Sequence, residues 1–481
     1  MSDRGGAAKR TIELDEAELA LRRLSVPASG PNGMSRRSFL QALGLGAGAV
    51  GAGAAIAGSS VLERLEAFGV TTTAADDGIL VLVMLDGGND GLNTVIPHAD
   101  GNYRTLRPGI RYDAPGSGAN AVLDIGVPGF GLHPSLVQLR DRYAQGQVAI
   151  VNGVGYNPPD MSHFTSMGYW MNGWSTAPPN TYGNGWVGRY LDTLVGASSE
   201  ELLGVSIGQS VPLHMIGSVA RAAGLPTSLS NAFGMDRSET SDVRVFDTVE
   251  GYSTSGTGLD QWGDSYARTM KGVLDLSVRV QPAYAQPNNT DDDIVRQLRL
   301  VARLINAGLG TRVFHTHLGG FDTHTDQRGQ HANLLGDFDR AIGTFFSILA
   351  PQHHNNVTVL TFSEFGRRAE ENEAGTDHGA AGVNFLIGPN VQGGMHGTPP
   401  GLARASRDRY GNLIPTVDFR SVYANVLRDW MQVDPYPILG GQYPSMGLIA
   451  RAPNTNPPGT YVPPPRPPTT HRTRRTRAKT G

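Results

Sequence analysis

The chain has 481 residues, with 40 Lys and Arg against 43 Asp and Glu and a formal net charge of −3. That length supplies a sizeable buried core, and the absence of cysteine excludes a disulfide scaffold, a cysteine-ligated metal and a thiol nucleophile. Residues 76–450 carry 25 cations and 36 acids, whereas residues 451–481 carry seven cations and no acid. An acidic body argues against a nucleic-acid partner and suits bound divalent cations.

In chain order, residues 1–33 read as an extended leader outside the fold. Ser35-Arg36-Arg37-Ser38-Phe39-Leu40-Gln41 then precedes an uncharged run from Leu40 to Ser60. The run is mostly Gly and Ala, too weakly apolar for a permanent membrane span. The segment resembles a twin-arginine (Tat) export signal, S/T-R-R-x-F-L-K, with Gln41 as its one departure. That resemblance implies a signal peptide over 34–75 and the Tat translocase as a partner. It also implies export to the periplasm, the cell surface or the medium. The bland alternative is an arginine pair before a buried glycine-rich helix.

Ile79–Leu85 is a continuous apolar run, the pattern of a strand buried on both faces. It leads into the loop Asp86-Gly87-Gly88-Asn89-Asp90-Gly91. Helical spacing at Leu136, Leu139 and Tyr143 predicts a helix over 135–145, before a strand at 148–151. The Pro158-Pro159-Asp160 turn precedes helical spacing at Phe164, Met167 and Trp170. Residues 210–262 are rich in Gly, Ser and Thr and read as an irregular insertion or lid. Asp291-Asp292-Asp293 opens an amphipathic helix over 294–309. Strands at 311–316, 357–362 and 383–387 alternate with helices over 330–349 and 419–431. The alternation predicts an α/β domain over 76–450: a doubly wound, mostly parallel sheet flanked by helices. The basic, Pro-rich residues 451–481 read as a solvated, disordered tail.

Ligands of doubly wound sheets gather beyond the carboxyl ends of the strands. Those positions here hold Asp86, Ser162-His163, Asp322-Thr323-His324-Thr325-Asp326, Ser363-Glu364 and Asp377-His378. Each loop alone reads as a turn or cap. Carboxylates and imidazoles from five separate loops suit one or two divalent ions.

In that order the motifs resemble the alkaline phosphatase superfamily, which includes sulfatases. Leu85-Asp86-Gly87-Gly88-Asn89-Asp90-Gly91-Leu92-Asn93, Ser162-His163-Phe164, Gly320-Phe321-Asp322-Thr323-His324 and Thr361-Phe362-Ser363-Glu364-Phe365-Gly366-Arg367 are more closely similar to an uncharacterised Tat-exported family, the domain of unknown function 1501. The resemblance implies an alkaline phosphatase-like fold and a metal-dependent hydrolase of phosphate or sulfate esters. Carried over residue by residue, Asp86 and Glu364 hold the metal nearest a nucleophilic Ser162. Asp322 and His378 hold the other metal, together with His324 or Asp326. His163 orients Ser162 or an oxyanion, or packs its own helix. Asn89 and Arg367 contact the anionic substrate; the bland role for Arg367 is a salt bridge.

One departure matters. The superfamily follows its late Asp with a metal-binding His, whereas here the pair is Glu364-Phe365. That change shifts the expected ion from zinc toward calcium, magnesium or manganese, or leaves a single site. It also keeps open a second class of function, a non-catalytic exported protein that binds a surface glycan or an assembly partner. Elsewhere, His315 and His317 lie two apart on one strand face, so they form either a zinc pair or one packed and one edge histidine. Trp170, Trp174 and Trp186 line a cleft or belong to the core.

Overall fold

The computed structural model describes residues 78–174, 184–194, 202–208, 210–218, 220, 222–227, 279–285 and 292–450. The leader, the signal-peptide segment 34–75, the tail 451–481 and most of the 210–262 stretch lie outside the described residues.

Among the described residues, nine strands share one sheet. They are β1 (Ile79–Leu85), β2 (Val148–Gly155), β3 (Gly204–Ile207), β4 (Ala222–Leu225), β5 (Val313–Leu318), β6 (Val357–Phe362), β7 (Gly382–Ile387), β8 (Gly394–His396) and β9 (Val417–Asp418). Their spatial order is β8-β2-β7-β6-β1-β5-β3-β4, with β9 also paired to β2. β1 lies between β5 and β6 and parallel to both. β7 alone is reversed, pairing antiparallel with β2 and β6. All seven residues of β1 are buried, as an unbroken apolar run requires.

The side-chain alternation of β1 divides the core in two. Ile79, Val81, Val83 and Leu85 pack into one layer with α1 (Val137–Ala144), α4 (Asp293–Asn306) and α5 (Gln327–Ile348). Leu80, Leu82 and Met84 pack into the other with α2 (His163–Asn172), α3 (Trp186–Leu194) and α6 (Phe419–Asn425). Helices therefore cover both faces of a mostly parallel sheet, the predicted class. Among the described residues no helix is long and apolar enough to cross a membrane.

Two sequence expectations change, and two open alternatives resolve. Residues 222–225, inside the stretch read as an irregular insertion, form the edge strand β4 in parallel register with β3. The helix expected over 419–431 ends as an α-helix at Asn425 and continues through Val426–Trp430 as a π-helical turn. That wider turn accompanies a hydrogen bond from Trp430 Nε1 to the Ile79 carbonyl at 3.0 Å. His315 and His317 are one packed and one edge residue, since His315 is buried against His214 with ring centroids 4.6 Å apart and His317 is exposed. Trp170 and Trp186 belong to the core, stacked on Phe419 and Tyr423.

The buried histidines couple the fold to pH. Burial holds His214 at about 3, and His331 at about 4 despite the neighbouring Asp90 charge. In the unfolded chain a histidine titrates near 6.5. The unfolded state therefore takes up protons that the folded state refuses. Stability is full above about pH 6.5 and is lost as pH falls toward the folded values. Replacing His214 with Phe should lower the slope of unfolding free energy against pH by up to one proton between about pH 6 and 4. Urea titrations at several pH values measure it, and an unchanged slope would refute the assignment.

Candidate metal centre

The loops that leave the carboxyl ends of β1, β2, β5 and β6 meet at one edge of the sheet, joined by the segment that enters the reversed β7. The loop after β2 ends at Ser162, the N-cap of α2, so His163 stands in the first turn of that helix. The loop after β5 carries Asp322 and His324, and that after β6 carries Ser363-Glu364-Phe365. His378 pairs across a short ladder with Arg367, which fixes the 376–379 segment beside the 363–367 loop.

One nitrogen each from His163 and His378 and one oxygen from Asp322 lie within 4.8 Å of one another. His378 Nε2 is 3.0 Å from Asp322 Oδ1, and His163 Nε2 is 3.5 Å from Oδ2. His324 adds a third imidazole, with Nε2 3.0 Å from Asp322 Oδ1 and 3.2 Å from His378 Nε2. The far nitrogens settle the tautomers. His378 Nδ1 faces the Met161 carbonyl at 2.9 Å, an acceptor only, so it carries the hydrogen. His163 Nδ1 lies 2.8 Å from Glu364 Oε1, and the Glu364 carboxyl already accepts from the Gly87 and Gly88 amides. Both His163 and His378 thus turn Nε2 on the Asp322 carboxylate. Two imidazole nitrogens converging on one carboxylate are a donor set that a divalent ion, or a proton on either ring, satisfies.

Asp322 is suited to that cation. Burial alone would raise its carboxyl, but hydrogen bonds from Arg367 and His378 outweigh it and hold the group at about 2. The group thus stays ionised across the physiological range. The side chains of Asp322 and His324 are 45% and 44% exposed, so the cluster opens to solvent. A nitrogen-rich set with one carboxylate is the chemistry of zinc and its first-row neighbours, whereas calcium and magnesium take oxygen shells. The expected shift toward calcium and magnesium therefore finds no support in the donors that converge.

A second layer fixes these donors, and the Gly87-Gly88 dipeptide is its hub. The Gly87 and Gly88 amides hold Glu364, which holds His163. The Gly87 and Gly88 carbonyls accept from Arg367, whose Nη2 also donates to Asp322 Oδ1 at 2.7 Å. Both glycines have positive φ, +114° and +84°. A Cβ at Gly87 would press on the Asp322 amide nitrogen, and one at Gly88 would stand 2.5 Å from the Phe365 ring. Neither position accepts a side chain.

Several predicted site residues have other places. Glu364 is fully buried behind His163, its Oε1 2.8 Å from His163 Nδ1, and is not one of the three groups that converge. Asp86 also stands apart: its side chain lies beside Gly319, and its carbonyl accepts from the Phe321 amide. Arg367 is 1% exposed and bonded to four backbone carbonyls and Asp322, so it braces the ligands instead of reaching a substrate. Asn89 is likewise buried, its Oδ1 bonded to Thr94 and His331. The Ser162 hydroxyl makes one hydrogen bond, accepting from the Thr165 amide at 3.5 Å as a helix cap. Between His324 and Asp326 the imidazole is the one that joins the cluster. Asp326 is exposed and at φ +47° before α5. Sequence reasoning missed Phe365. Its ring stacks on His378 with centroids 4.5 Å apart and lies 4.9 Å from His163, flanking the two imidazoles, which are themselves 4.5 Å apart edge to face.

Replacing Glu364 with Ala should weaken binding of one zinc ion by about 10- to 100-fold without changing the number of ions held. Competition with a chromophoric chelator gives the affinity. Loss of the ion altogether would restore Glu364 as a ligand, and an unchanged affinity would remove its orienting role.

Among curated proteins nothing matches the chain. Of solved structures, Ps i-CgsB in complex with k-i-k-neocarrahexaose is 11% identical, with 76% of this chain and 73% of that one covered and a TM-score of 0.33. A protein in the alkaline phosphatase superfamily from Vibrio parahaemolyticus is 10% identical over 82% and 76% of the two chains, with a TM-score of 0.34. Alkaline phosphatase from the Antarctic bacterium TAB5 is 12% identical over 65% and 92%, with a TM-score of 0.28. Likenesses this low carry no argument about activity. The family model Protein of unknown function (DUF1501) matches residues 78–427, from the start of β1 into the turn after α6, and the chain belongs to that family.

Proposed function

We propose that this chain is an exported, metal-dependent hydrolase of phosphate or sulfate esters, with one divalent ion held by His163, Asp322 and His378 and flanked by His324. The observation that carries the reading is the convergence of two imidazole Nε2 atoms on one carboxylate, each ring with an acceptor at its far nitrogen. A divalent ion bound there would polarise an ester oxygen and make a water more acidic. The chain supplies the rest. Glu364 and the Met161 carbonyl hold the two rings in one tautomer, and Arg367 holds the Asp322 carboxylate. The N-terminus of α2 adds an anion-favouring dipole beside His163. Water is the nucleophile in this reading, because the Ser162 hydroxyl serves the helix cap. Export by the Tat route rests on Arg36-Arg37 and the uncharged run behind them.

Aryl phosphates and aryl sulfates, offered with zinc or manganese, are the assay. His378→Ala should lower turnover at least about 100-fold, in keeping with the loss of a ligand. Ser162→Ala should stay within a few-fold of wild type and lose about 1 kcal/mol of stability, the usual worth of a cap. A fully active His378→Ala would end the metal reading. An inactive Ser162→Ala that still binds metal would make the serine the nucleophile. Separately, Arg36→Lys with Arg37→Lys should strand the precursor in the cytoplasm; normal export of that double variant would end the Tat reading.

A further inference from the structure

Beneath the cluster runs a line of buried polar side chains that the proposed chemistry does not use. Arg107 Nη1 donates to Asp90 Oδ2 at 2.5 Å, with both side chains at most 1% exposed. The same Asp90 oxygen accepts from Gln327 Nε2. At its other end Gln327 Oε1 accepts from Thr376 Oγ1 at 2.6 Å. The Thr376 carbonyl accepts from Arg367 Nη1 at 2.8 Å, and Arg367 reaches Asp322. Gln327 and Thr376 are fully buried. Thr376 stands two residues before His378 and next to Asp377, whose carboxylate lies 3.6 Å from His324 Nδ1.

Gln327 is the joint of this line. It opens α5, its backbone amide donates to the Ala374 carbonyl, and its side chain bridges the loop after β1 to the segment carrying His378. The position demands a group that donates at one end and accepts at the other. Asp90, ion-paired with Arg107, accepts only, and here the Thr376 hydroxyl donates to the Gln327 oxygen. A glutamine amide meets both demands. A glutamate of the same shape only accepts when ionised and would place its charge against Asp90.

We propose that Gln327 is a positioning residue for the metal centre. By tying Thr376 to Asp90 it sets the height of the 376–378 segment, and so places His378 Nε2 against Asp322 and Asp377 behind His324. The inference rests on the metal reading above, but not on any hydrolytic activity.

The test is uptake of cobalt(II), whose visible spectrum reports ligand number and geometry, by the full chain. Gln327→Glu should weaken cobalt affinity about 10- to 100-fold and alter the band shape, the range seen when an outer-layer partner is lost. Thr376→Val, which keeps the shape and removes one donor, should weaken it in the same direction and remains informative if Gln327→Glu folds poorly. Asp339→Asn is the control. Asp339 caps α1 through the Gln138 and Leu139 amides, so its loss should lower stability and leave cobalt affinity unchanged. Wild-type affinity in both Gln327→Glu and Thr376→Val would overturn the proposal, as would an equal loss in Asp339→Asn. If wild type itself takes up no cobalt, the metal reading falls, a result distinct from the first two.

Discussion

The Gly87-Gly88 dipeptide turns its amides one way and its carbonyls the other, and the centre hangs on that two-sided backbone. Through the amides it fixes Glu364 and hence His163; through the carbonyls it fixes Arg367 and hence Asp322. A right-handed backbone would send these groups in different directions, and a side chain would collide with Asp322 or Phe365. The strand that precedes the loop is buried along its whole length between β5 and β6, so the hub is anchored on a central strand of the sheet.

The same constraint explains why the arrangement suits a single ion. Where the superfamily pattern implies a second imidazole, Phe365 packs against the side of the His163–His378 pair. Where it implies a carboxylate ligand, Glu364 is withdrawn into the loop and serves a histidine. In the proposed single-ion reading, both residues stiffen the donors and supply none. Below them, the Arg107–Asp90 pair is buried at a desolvation cost that close contact and the bond from Gln327 offset. Such a pair contributes little net stability. Its use is to hold three segments in one register.

The sheet was legible because its strands are long apolar runs. Ile79–Leu85 and Val357–Phe362 can only be buried on both faces, and α4 carries an unmistakable apolar stripe. β3 and β4 were not legible: four residues each, rich in Gly and Ala or Ser, they acquire strand character only from neighbours already in place. At the site, Asp322, His324 and His378 could be named as metal-type residues because several strand-end loops carry carboxylates and imidazoles together. His163, by contrast, reads in sequence as a partner of Ser162 or a packed helix residue and not as a donor beside them. The division of the site residues into donors and supports could not be read. Whether Glu364 faces a metal or a histidine depends on the φ angles of Gly87 and Gly88 and on the ring that follows it, none of which leaves a periodic signal. Arg367 misled for a related reason, since a guanidinium that braces carbonyls reads in sequence like one that binds an anion.

X-ray absorption at the zinc edge, on protein loaded with one equivalent of zinc, tests the central claim most directly. The account predicts a nitrogen- and oxygen-containing shell near 2.0–2.1 Å with the multiple-scattering signature of at least two imidazoles, reduced in His378→Ala. A shell of oxygen alone, or a spectrum that His378→Ala leaves unchanged, would contradict it.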